Sequence, residues 1–169
     1  MINVAQFRAE IVRPALKAAN MWSEAAENLV LGTGVQSSLL AWVRNRGADT
    51  ALGFYQMAPA TADDICHRFL STRSELSMSL GRATWPHCAN PTGYSLLGNS
   101  DITRLLVEDM RFATIMCRLR YWMMPAPLPA ANDIDGLAQY WKRYYITDLG
   151  SESASEWADR YRRFCAPEA

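Results

Sequence analysis

The chain has 169 residues, half of them apolar and 11% aromatic, which is enough for one core and too apolar for a disordered chain. Lys+Arg and Asp+Glu both number 17, so the formal net charge is zero. That balance argues against gripping nucleic acid by its phosphates and against steering to an anionic membrane, and no run approaches the ~20 apolar residues of a membrane span.

Taken in order, nearly every segment predicts helix, so the expectation is an all-α fold, one domain over 1–169, with at most a small β element near residue 53. Residues 4–20 place Val4, Phe7, Ile11 and Leu16 on one face, and Pro14 is a kink or the start of a second short helix. This N-terminal segment is amphipathic rather than a charged start followed by an apolar run. The expectation is synthesis in a cytoplasm without a secretory leader. Ser23 is an N-cap, with Glu24 and Glu27 in the first turns, where the helix dipole favours them; the spacing carries that helix to Trp42 or Asn45.

After a turn-rich break, "ALGFYQM" predicts a loop or a strand pair, and Pro59 opens the next helix, with Asp63 and Asp64 read as acids of a helix N-terminus. Residues 71–98 predict a short helix and a long irregular connection. "DITRLLVEDMRFATIMCRLRYWMM" keeps helical spacing at Ile102, Leu105, Leu106, Phe112, Ile115, Met116 and Leu119, which predicts one long helix with a core stripe. "PAPLPAAND" is a stiff linker, and two further helices follow.

Cys66, Cys88, Cys117 and Cys165 have no CxxC spacing and read as free thiols. Cys66-His67 and His87-Cys88 hold four candidate zinc ligands. Neighbouring helix residues point about 100° apart and chelate poorly, so no metal site is assigned, and no cofactor.

The informative stretch is 29–65. The helix "LVLGTGVQSSLLAW" spends Gly32, Gly34, Gln36, Ser37 and Ser38 where packing alone would call for larger apolar residues. It is followed by Ala51, Gly53, Gln56, Pro59, Thr61 and Ala62 in the register Ala-x-Gly-x-x-Gln-x-x-Pro-x-Thr-Ala. This resembles the signature of lytic transglycosylases and goose-type lysozymes, in which Glu-Ser on a helix precedes Ala-x-Gly-Leu-Met-Gln-x-x-Pro-x-Thr-Ala. Phe54 and Tyr55 replace the Leu-Met. The chain is also similar, from "INVAQFRAEIVRPAL" to "LAQYWKRYY", to small bacteriophage proteins with the lysozyme-like fold.

The resemblance implies a sugar-binding cleft formed by Gln36, Ser38, Gly53, Tyr55, Gln56 and Tyr145. The general acid of such a site is a buried Glu kept protonated by desolvation. Counted back from Gln56, its position holds Ser37. A hydroxyl cannot be that acid, and losing one costs roughly 100- to 10,000-fold in rate. Glu27 lies ten residues upstream, about 15 Å along a helix, and reads as a surface residue. Asp49, in the connecting loop, is a lesser candidate acid. Ile146, after Tyr145, puts an apolar side chain where the family often has a polar one.

The expectation is therefore a pseudoenzyme, a neck or tail part of a phage particle contacting other virion proteins. Formation of a homo-oligomer stays open. Trp85, Tyr94 and Trp157 are candidate partner contacts, and Phe54, Tyr55 and Met57 are kept for core volume. The alternatives are an active peptidoglycan-cleaving enzyme and a glycan-binding module. The protein would reside in the host cytoplasm when made and in the virion afterwards.

Overall fold

A computed structural model describes residues 1–44, 51–146 and 152–166. The chain is mainly helical, 65%, and the described residues contain no strand. Two isolated antiparallel bridges, Arg44 to Leu52 and Leu52 to Met57, are the whole β content among them and fall at the expected place.

Helix α1 spans Val4–Phe7 and α2 Arg13–Ala18. A wide π turn, Arg8–Val12, joins them. Pro14 explains it: proline has no N–H to continue the ladder, and the Arg13 N–H instead reaches back five residues to the Arg8 carbonyl. Helix α3, Glu24–Ser38, is capped as expected by Ser23, whose hydroxyl accepts from the Ala26 N–H at 3.1 Å. It is buried on every side from Ala26 to Gln36, so it runs through the interior rather than along the surface.

This burial explains part of its odd composition. A Cβ on Gly32 would collide with the indole of Trp157, and one on Gly34 would press on Leu40 and Tyr55. The Thr33 hydroxyl bonds the Leu29 carbonyl and the Tyr121 hydroxyl, both at 2.7 Å.

Helix α4 is Pro59–Asp64, continued by a π turn Ile65–Phe69; α5 is Ser74–Thr84 and α6 Asn99–Glu108. The single long helix expected over 101–124 is two. Asp109 leaves helical backbone at φ −116°, ψ 103°, and its carboxylate caps a new helix, α7, Met110–Trp122, by accepting the Phe112 N–H at 2.9 Å. An Asp competes well for such a cap, and spacing alone did not register the break. Helices α8, Ile134–Tyr144, and α9, Ala154–Phe164, complete the chain, α9 opening with a capping box between Ser153 and Glu156.

Two apolar clusters fill the interior. The first holds α3, α8 and α9, with Trp141 and Trp157 at its centre. The second holds α4 to α6, with Ile65, Leu70, Tyr94 and Phe112. Helix α7 is the wall between them: Ala113, Cys117 and Tyr121, four residues apart, face the first, while Phe112, Ile115, Met116 and Leu119 face the second. The loop after α3 bridges the same seam, Tyr55 entering the first cluster and Leu52 and Met57 the second.

Two expectations about surface residues are corrected. Tyr94 and Trp157 are fully buried, so they are core rather than contacts, while Trp85 is half-buried and lines a surface groove; the exposed tryptophans are Trp22, Trp42 and Trp122. Glu27 is 1% exposed and sits in the core rim.

Candidate functional site

Helix α3 stops at Ser38, short of the expected Trp42–Asn45, because Leu39 and Leu40 both take left-handed backbone, φ 53° and 47°. Successive non-glycine residues there cost on the order of 1–3 kcal/mol each. The Ser38 hydroxyl offsets this: it donates toward the Phe54 carbonyl at 2.7 Å and the Gly34 carbonyl at 3.1 Å, and accepts the Leu40 N–H at 3.2 Å. Ser38 thus ties the helix end to the loop that the motif supplies.

That loop is strained as well. Gly53 has φ 72° and Gln56 φ 46°. Gly53 packs against the Leu106 carbonyl so closely that a Cβ would overlap it, so both backbone and space require glycine. Gln56 turns its side chain back, Nε2 donating to the Gly53 carbonyl at 2.7 Å, which closes the turn. Tyr55 is 1% exposed, its hydroxyl on Thr114 Oγ1 at 2.9 Å, and burial pushes its phenol pKa well up. Tyr145 donates from its hydroxyl to the Tyr55 carbonyl at 2.8 Å.

The structure therefore brings Ser38, Gly53, Tyr55, Gln56 and Tyr145 to one seam, while Gln36 turns to Glu152 and Arg160. Asp49 lies outside the described residues. Ser37, the penultimate residue of α3, is half-buried, and its hydroxyl has no hydrogen-bond partner among the described residues. Gln36 is 3% exposed; its Nε2 faces Glu152 Oε1 at 3.3 Å, and its Oε1 is buried without a partner among the described residues. Arg160 of α9 donates to the Gln36 carbonyl at 2.9 Å. Ile146, half-buried, packs on the first cluster.

Glu152 and Arg160 were not legible in the sequence. Their contacts with Gln36 span 116 and 124 residues, and neither belongs to a local pattern.

Glu27, Asp63 and Asp64 are occupied elsewhere. Glu27 accepts from Arg8, from both Nε and Nη2 of Arg13, and from Trp22 Nε1, at 2.7–2.9 Å. Burial pushes its carboxyl up, but the hydrogen bonds from Arg13, Trp22 and Arg8 outweigh it and hold the pKa at about 2, the opposite of a general acid. Asp63 and Asp64 lie beyond the first turn of α4; they pair with His67 at 2.8 Å and Arg68 at 3.2 Å. His67 also donates to the Leu97 carbonyl at 2.7 Å. Among the described residues no three His, Cys, Asp or Glu side chains come together as a metal site would need.

Three of the surface cavities among the described residues measure about 540, 1000 and 560 Å³, the second beside Trp22, Arg8 and Phe164. None of the three is lined by Ser37, Gln56 or Tyr145. Compared with known protein families, with curated proteins and with solved structures, the chain matches none.

Proposed function

We propose that this chain is a lysozyme-like pseudoenzyme, a structural part of a bacteriophage particle whose former catalytic cleft has become a packing seam. The observation that carries the reading is Ser37. It is the penultimate residue of a buried helix whose last residue, Ser38, bonds the Phe54 carbonyl, and the resemblance to glycosidases puts a carboxylic acid at its position. The residues that would bind sugar are already spent on one another: Ser38 on Phe54, Gln56 on Gly53, and Tyr145 on Tyr55. Left-handed backbone at Leu39, Leu40 and Gln56 is the kind of strain that accumulates at functional sites and supports descent from one. The particle context rests on the resemblance of the two ends of the chain to small phage proteins.

One observation favours a second reading, an active peptidoglycan-cleaving enzyme. Glu152 reaches Gln36, the neighbour of Ser37, and could serve as a displaced acid. Clearing of permeabilised Gram-negative cell walls separates the two. The pseudoenzyme reading expects no clearing by the native chain or by Glu152→Gln. Clearing by the native chain that Glu152→Gln abolishes would replace it with the second. Ser37→Glu then reports how far the cleft has decayed: activity gained by this variant marks a loss of the acid alone.

A further inference from the structure

The two ends of α7 present opposite chemistry. At its start lies a groove of about 560 Å³ lined by Trp85, Leu96, Asp101, Arg104, Glu108 and Asp109. Arg104 pairs with Asp101 at 3.5 Å and Glu108 at 3.0 Å, while Asp109 accepts from the Phe112 N–H and from Trp85 Nε1, so three carboxylates face one guanidinium and negative charge is in excess. Leu96, 72% exposed, stands open in this groove.

The other end, about 18 Å along the helix, is cationic and aromatic. Arg118 is 6% exposed, yet no carboxylate pairs with it among the described residues. Its Nε donates to the Met21 carbonyl at 3.2 Å, its guanidinium lies 5.0 Å from the centre of the Trp122 ring, and its η nitrogens are not among the buried atoms left without a partner. Trp122 is 47% exposed, and so, at 43%, is Trp22, next to Met21 and covered by the Lys17 ammonium at 4.9 Å. Arg118 has no carboxylate partner among the described residues, and a bidentate carboxylate is the natural complement of a guanidinium.

We propose that copies of this chain associate head to tail, the acidic groove at the start of α7 in one copy docking on Arg118, Trp22 and Trp122 of the next. A second copy is the fitting occupant because each face carries what the other lacks: carboxylates in excess and an open leucine against an arginine without a carboxylate partner among the described residues, beside exposed Trp122 and bonded to the carbonyl of Met21, which precedes exposed Trp22. Arg and Trp are the residues that most often anchor protein interfaces. The two faces differ, so the contact is heterologous and repeats into a ring or a filament instead of closing a dimer. The inference is independent of the lysozyme-like reading.

Sedimentation velocity of the purified chain, from micromolar to near-millimolar protein, tests it. Association in low salt that weakens in 1 M salt is expected, because a ~3 Å Debye length screens the exposed carboxylates. Arg118→Ala, and separately Asp101→Ala with Glu108→Ala, should each weaken association about 30-fold or more. An equimolar mixture of the two variants should form capped dimers and nothing larger, since each lends its intact face. Trp122→Ser, at an exposed position, repeats the Arg118 arm without disturbing a buried group. A native chain that stays monomeric to near-millimolar overturns the proposal. So do Trp122→Ser and acidic-face variants that associate like the native chain.

Discussion

The hydroxyl of Tyr145 is bonded to the backbone carbonyl of Tyr55 at 2.8 Å, so the end of α8 holds the loop that the motif builds. Both residues are nearly sealed from solvent, at 6% and 1% exposure. Tyr145→Phe leaves that carbonyl without its donor, and the expected loss of stability is about 1–3 kcal/mol. Urea unfolding checks it; an unchanged midpoint would mean that the bond does not hold the loop.

Glu27 gives the protein a sign-determined response to acid. Its pKa falls from the usual 4.5 to about 2 on folding. A depressed carboxyl contributes stability above its unfolded pKa and loses it as pH falls from about 4.5 to 2; the shift corresponds to roughly 3 kcal/mol at neutral pH. Glu27→Gln should therefore be less stable than the native chain at pH 7, and the gap should close toward pH 2. A gap independent of pH would show that the carboxyl's charge is not what the arginines hold.

Gly32 lies under the Trp157 indole. Alanine in a helix is normally about 1 kcal/mol better than glycine, but here the added methyl has no room. Gly32→Ala should instead destabilise by about 1–3 kcal/mol, read as a lower thermal midpoint. A raised midpoint would mean that the indole moves aside freely.

Of the four thiols only Cys88 is exposed. Burial pushes Cys66 and Cys165 up to about 12 and Cys117 higher still. Maleimide at neutral pH should add one label per native chain and four after unfolding, counted by intact mass. More than one label on the native chain would reveal opening of the core.

The all-α class, the Ser23 cap, the helix at Pro59 and the non-helical stretch between α7 and α8 were readable in the sequence because each rests on local chemistry: a cap, a ring, a period. The break at Asp109 was not, since one capping carboxylate interrupts an unbroken apolar stripe. The early end of α3 was hidden because leucine is not a residue that announces left-handed backbone. At the site, the motif brought together Ser38, Gly53 and Gln56, which lie within twenty residues of one another. Glu152 and Arg160 reach Gln36 only through the tertiary fold, as do Arg8 and Arg13 on Glu27, a side chain that the helix dipole alone would leave in water.

Arg8, besides pairing with Glu27, donates to the Cys165 carbonyl at 2.8 Å and to the Tyr161 hydroxyl at 3.2 Å, closing a loop of 157 residues. On a ribosome adding about 5–20 residues per second, Arg8 waits roughly 8–30 s for Cys165 to be made. Until then α3 lacks the α9 indole that covers Gly32, and its most apolar flank stays open. Synthesis of α9, whose Trp157 indole lies over Gly32, ends that exposure.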